Sequence, residues 1–189
     1  MKKIICFLLV VLSLTLILCG CGSEEVKEPE YMPSIFKFGM TYDEASEAAI
    51  LQELKEVDEG KHYISFGVLT DTEHCKFYNI DWDGVSSEEQ NTYLNNSLSD
   101  YMLTFNSSKE LCSFMVYVDM NNTPNCAQYL FNHYIEFYEE LLGVESEDYQ
   151  EGNQVKAVIE KDNIEVSVYW EVNGTEMEVS AIVIDKNFY

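Results

Sequence analysis

Residues 123–143 read TPNCAQYLFNHYIEFYEELLG. Ala127, Leu130, Phe131, Tyr134, Phe137, Tyr138 and Leu141 recur at the helical period and make one broad apolar stripe. Thr123 stands where a cap belongs, Pro124 suits a first helical position, and Gly143 suits the residue just past the end. A helix with one such face needs something to lie on. The stretch 154–185, QVKAVIEKDNIEVSVYWEVNGTEMEVSAIVID, supplies it. Val166, Val168 and Trp170 alternate with Glu165, Ser167 and Tyr169, and Met177, Val179, Ala181 and Val183 alternate with Glu178, Ser180 and Ile182. Such alternation marks strands with one dry and one wet face. Asn173-Gly174 is a two-residue hairpin signal. Strands are therefore expected over 154–160, 164–172 and 175–185.

Upstream the pattern repeats loosely. Thr41-Tyr42-Asp43-Glu44 is a capping box, opening a helix expected over 42–56 that ends at Asp58-Glu59-Gly60. Strands follow over 62–69 and 74–82, joined at Asp71-Thr72-Glu73, with a polar loop over 83–92. A further hairpin is expected from 98–105 and 111–119 around the loop 106–110. The expected architecture is a two-layer α+β fold, two helices packed on antiparallel meander sheet. Each helix leads a meander, which reads as a diverged duplication.

The N-terminus is of another kind. Met1-Lys2-Lys3 precedes an apolar run, Ile4–Leu18, of about 15 residues, short of the ~20 that cross a bilayer as a helix. Lysines, a short apolar core and a small-residue end are the marks of a cleavable signal. Leu18-Cys19-Gly20-Cys21 resembles the lipobox of bacterial lipoproteins. The resemblance implies cleavage before Cys21, a diacylglycerol on its thiol, and a chain held on the extracytoplasmic face of the cell membrane. Two or more acyl chains anchor stably. Residues 1–20 are thus expected to be the signal peptide, 21–34 the lipidated cysteine with an acidic, proline-containing tether, and 35–189 one globular domain.

Charge excludes one class of function. The chain has 34 acidic residues, 11 lysines and no arginine, a formal charge of −23. Losing Lys2 and Lys3 with the leader leaves nine lysines and −25. Such a surface repels nucleic-acid phosphates and anionic headgroups, so nucleic acid is not an expected partner. Cys75, Cys112 and Cys126 remain in the domain, and the favoured reading is buried thiols rather than a disulfide.

A second resemblance rests on Phe38-Gly39-Met40-Thr41-Tyr42-Asp43-Glu44-Ala45. It is similar to the helix start of small lipoproteins of the SmpA/OmlA type and of domains resembling beta-lactamase-inhibitor protein, with Ala45 where valine is usual. The resemblance implies helices on an antiparallel sheet and a non-catalytic binding or accessory module, its protein or envelope partner unspecified.

Chemistry-bearing motifs are sparse. Asn79-Ile80-Asp81-Trp82-Asp83-Gly84, with Gln90, shadows a calcium loop, in which alternate residues project oxygens inward around a glycine turn. Asn79 and Gln90 each lack the negative charge that such a loop carries at their positions. The loop Asn79, Asp81, Asp83 and Gln90 is nonetheless the candidate for an alternative reading, a metal- or small-ligand-binding lipoprotein. His62, His74 and His133 are scattered and make no closed zinc pattern. No catalytic signature is present, so an enzyme is not expected and no cofactor is implied; a hydrolase with a site assembled from distant residues is the remaining alternative.

Overall fold

The computed structural model describes residues 30–52, 54–60, 62–68, 75–96, 99–120, 123–174 and 176–189. The expected signal peptide, Cys21, His74 and the Asp71-Thr72-Glu73 loop lie outside them. In chain order the elements are α1 (Tyr42–Leu51), β1 (Lys55–Glu59), β2 (Tyr63–Val68), α2 (Cys75–Phe77), α3 (Ser87–Asn96), β3 (Ser99–Phe105), β4 (Leu111–Asp119), α4 (Pro124–Leu142), β5 (Glu147–Glu151), β6 (Gln154–Lys161), β7 (Ile164–Asn173) and β8 (Glu176–Asp185). All eight strands join one antiparallel sheet in the order β1-β2-β3-β4-β8-β7-β6-β5. Two four-stranded meanders, each led by a helix, meet at their last strands. The first strand of each, β1 and β5, forms an outer edge.

The fold is α+β, as expected, but the sheet dominates it more than two helices on a meander would suggest. Four departures stand out. The first helix stops at Leu51 rather than 56; Gln52 and Leu54 both bond back to the Ala49 carbonyl, and Lys55–Glu59 becomes an edge strand. Of the stretch expected as strand 74–82, the described residues 75–82 are instead the single turn α2 and a loop. The stretch expected as loop 83–92 holds most of α3, where the Ser86 hydroxyl accepts from the Glu89 amide. A further strand, β5, precedes the expected C-terminal meander, whose other three strands fall as expected. Both edges, Lys-Glu-Val-Asp-Glu and Glu-Asp-Tyr-Gln-Glu, are rich in charge, which discourages edge-to-edge association.

The expected capping box is formed. The Thr41 hydroxyl accepts from the Glu44 amide, and a Glu44 carboxylate oxygen accepts from the Thr41 amide at 2.8 Å. Just upstream, Gly39 has φ +82°, and a Cβ there would lie 2.9 Å from the ring of Phe188. The Gly39 amide donates to the Leu111 carbonyl, and the Leu111 amide to that of Met40, so this entry segment extends the ladder beyond the start of β4.

The helix over 124–142 is capped differently from expectation. The Thr123 side chain makes no cap bond; it donates to the Met120 carbonyl. Glu89 of α3 takes its place. Its Oε1 accepts from the amides of Asn125 (2.7 Å) and Cys126 (3.4 Å), and its Oε2 from Asn125 Nδ2. A carboxylate at a helix N-terminus satisfies orphan donors and complements the dipole. At the other end Gly143 is left-handed as expected, and the Lys161 ammonium donates to the Leu142 carbonyl.

One face of the sheet is dry. Phe66, Leu103, Phe114, Val116, Val166, Val179 and Ala181 are buried there in a core shared with Ala45, Ala49, Leu130, Tyr134 and Tyr138 of the helices. The α4 stripe is thus core packing. Tyr78, Tyr134 and Tyr138 are fully buried, and burial pushes each phenol well above its usual range. The Tyr78 and Tyr138 hydroxyls bond each other at 3.0 Å. Residues 30–34, assigned to the tether by sequence, are already docked: Met32 is buried, and Tyr138 donates to the Tyr31 carbonyl. No helix among the described residues is long and apolar enough to cross a membrane.

Candidate binding face

Among the described residues no helix lies on the other face of the sheet; the buried helical side chains all join the core on the dry side. Strand register defines what it displays. Reading across the strands, one row runs Ser65, Met102, Met115, Ile182, Ser167 and Val158. The next runs Gly67, Asp100, Tyr117, Ser180, Tyr169, Lys156 and Tyr149. A third runs Asp119, Glu178, Glu171 and Gln154. The face therefore has an apolar stripe, a tyrosine-rich row and an acidic row, side by side.

The larger side chains of these rows are partly exposed, whereas Ser65 and Ser167 are shaded to near burial by their neighbours. Ser180 lies between Tyr117 and Tyr169, which are two strands, about 10 Å, apart. A small residue between two tyrosines leaves a depression of about 230 Å³ lined by Gln154, Tyr169, Glu171, Glu178, Ser180 and Ile182. The Lys156 ammonium sits 5.1 Å from the Tyr169 ring centroid, so that ring already receives a cation on one side.

The electrostatics of the face are uneven. Burial raises the Tyr117 phenol far above its usual range, and Glu178, Asp119 and Asp100 raise it further, Glu178 also through a hydrogen bond. Burial alone lifts the Asp100 carboxyl above its ordinary value. Glu171 accepts from Gln154 Nε2 and Asn173 Nδ2, neutral donors that leave its charge in place. Elsewhere on the same face Glu160 and Glu165 are both paired with Lys186, at 2.8 and 3.1 Å.

The residues that sequence singled out lie elsewhere. The 79–84 loop is on the helical side, where Asn79 and Trp82 take left-handed φ of 53° and 59°. Asp81 Oδ1 accepts from the Asp83 amide and from the Tyr129 hydroxyl at 2.6 Å; these bonds hold the Asp81 carboxyl below its usual range, Tyr129's contributing most. Gln90 does not turn an oxygen into the loop. Its Nε2 donates to the carbonyls of Val85 (2.7 Å) and Trp82 (3.4 Å). Among the described residues no group of three or more His, Cys, Asp or Glu is placed to hold a metal ion. His133 stacks on Tyr129, with Nε2 2.5 Å from the Tyr78 carbonyl, while His62 is exposed.

No disulfide forms among the described cysteines, and Cys112 and Cys126 are buried thiols. Burial, aided by Glu89, pushes the Cys126 thiol up to about 12, too high for a nucleophile at neutral pH. A second concavity, about 500 Å³, lies between the 30–38 segment and the C-terminal turn, walled by Met32, Phe36, Phe38, Ile164 and Phe188.

The sequence holds the open face in its alternation, since every second residue of β7 and β8 reads as wet. It does not show that Tyr117, Asp100 and Met102, from an earlier hairpin, continue the same rows. That depends on the β4–β8 pairing between strands some 65 residues apart. Against known proteins, the chain matches no family model, no curated sequence and no solved structure.

Proposed function

We propose that this chain is a lipid-anchored, extracytoplasmic binding module that does no chemistry of its own and docks an envelope partner on its uncovered sheet face. The observation that carries the reading is the composition of that face. It joins a methionine and isoleucine stripe to a tyrosine row, and tyrosine and methionine are favoured where proteins meet. Helices seal the opposite face. The anchor rests on Leu18-Cys19-Gly20-Cys21, with lipid on Cys21. Residues 22–29 are polar, acidic and proline-containing, a composition suited to a tether between the anchor and the domain. The twice-repeated order of helix and four-stranded meander supports an origin by duplication, and the sheet made by joining the copies is wide enough to serve as a platform.

Site-specific photocross-linking in the producing cells tests the reading. A photoreactive residue replacing Met115 on the open face is expected to give discrete adducts, and one replacing Asn132 on the outer side of α4 is not. Equal yields from the two positions, or none from Met115, contradict it.

The 500 Å³ concavity favours a second reading, a module for a small apolar ligand held among Phe36, Phe38 and Phe188. Saturable binding of an apolar fluorescent dye, abolished by Phe36→Asp, would support it; dye binding unaffected by that change would dismiss it.

A further inference from the structure

The geometry points to a basic polypeptide segment, one carrying lysine or arginine beside apolar side chains, as the occupant of the open sheet face. This rests on the reading of that face as the docking surface and adds the chemistry of what docks. Asp119 and Glu178 stand directly opposite across β4–β8, and Glu178 and Glu171 directly opposite across β7–β8. Asp100 flanks Tyr117 from the other side, across β3–β4. Like charges placed opposite on neighbouring strands destabilise a sheet, and the hydrogen bonds this partly exposed row receives, from the Tyr117 hydroxyl to Glu178 and from Gln154 and Asn173 to Glu171, come from neutral donors that leave its charge in place.

The molecule treats its other open-face carboxylates differently: Lys186 bridges Glu160 and Glu165. Among the described residues no ammonium bridges Asp100, Asp119, Glu171 or Glu178. The lysine on these rows, Lys156, lies over the Tyr169 ring instead. One end of the face is thus neutralised from within, while the other presents a concentrated negative field.

The layout favours a polypeptide over a single ion. The carboxylates are spread over the neighbouring strands β3, β4, β8 and β7, wider than one coordination sphere, and among the described residues no group of three converges on a metal position. The Ser180 depression, walled by Tyr169 and rimmed by Glu171 and Glu178, matches one long cationic side chain: carboxylates for its charge, an aromatic ring for its cation and stem. Met102, Met115 and Ile182 in the adjacent row offer apolar area to the partner's neighbouring residues.

The test uses the full chain in detergent and a fluorescent peptide of alternating lysine and leucine, with the same peptide carrying glutamate in place of lysine as its counterpart. Two variants each remove two charges: Glu171→Gln with Glu178→Gln on the face, and Glu136→Gln with Glu140→Gln on the exposed side of α4. The lysine peptide is expected to bind, the glutamate peptide not. The face variant should bind the lysine peptide about tenfold more weakly, and the α4 variant within about twofold of the parent. Equal loss in both variants would reduce the effect to net charge and overturn the inference, as would no binding of the lysine peptide or equal binding of its counterpart. Adducts from Met115 alongside such a failure would leave the docking face standing and remove only the basic character of its partner.

Discussion

Glu171 and Glu178 face each other across the β7–β8 ladder, two carboxylates in directly opposed positions on the uncovered side of the sheet. The arrangement costs stability, so removing one charge should return it. Glu178→Gln is expected to stabilise the domain by a few tenths of a kcal/mol, up to ~1 kcal/mol, by urea denaturation. The gain should shrink in high salt, which screens the repulsion in the parent. Destabilisation by this change would mean that Glu178 is held by favourable contacts rather than in spite of unfavourable ones.

Asp100 adds a pH dependence of defined sign. Burial raises its carboxyl in the folded state above its unfolded value. The protonated form therefore favours folding: this contribution is full below the unfolded pKa and is lost as pH rises through the folded one. At neutral pH the charged carboxylate is a burden. Asp100→Asn should raise the melting temperature at pH 7, and the advantage should fade as pH falls through the raised folded value and be gone below the ordinary carboxylate value. A gain independent of pH would show that charge is not its source.

Glu89 joins two helices that are far apart in the chain. Its carboxylate accepts from the Asn125 and Cys126 amides and from the Asn125 side chain. Glu89→Ala leaves those α4 donors without their cap and should cost about 1–2 kcal/mol, measured from denaturant midpoints. Thr123→Ser, which keeps the hydroxyl bonded to Met120, should cost less. A loss from Glu89→Ala no larger than that from Thr123→Ser would mean that the Glu89 carboxylate does not cap α4.

At Gly39 two constraints coincide, a left-handed φ and the ring of Phe188 pressed against the missing Cβ. Gly39→Ala should destabilise by about 1–3 kcal/mol. Combining it with Phe188→Ala should recover the steric part and leave the backbone part. A fully additive double variant would separate Gly39 from Phe188.

Legibility in the sequence followed local physics. The α4 stripe with Pro124 and Gly143, the Thr41–Glu44 box and the alternation through 164–185 are self-contained signals, and the structure carries each of them. Lys55–Glu59 and Glu147–Glu151 carried no alternation to read, because edge strands trade apolar pattern for charge. The 74–82 stretch alternates as a strand would, yet Tyr78 and Trp82 alternate into the aromatic core beneath α4 from a loop with left-handed Asn79 and Trp82. Glu89 looked like one acid among many; only the tertiary fold sets it at the start of α4. The open face was half visible, as wet positions on single strands. Its rows exist only through the pairing of β4 with β8.

Carboxyl footprinting in the intact envelope, compared with the purified chain, reaches the docking claim most directly. A water-soluble carbodiimide labels exposed Asp and Glu, and peptide mass spectrometry reads each position. Glu171 and Glu178 should be protected in the envelope relative to the purified chain, while Glu136 and Glu140 on the far side of the domain are labelled alike in both. Equal labelling of Glu171 and Glu178 in the two settings would mean that nothing covers the open sheet, and would contradict the account.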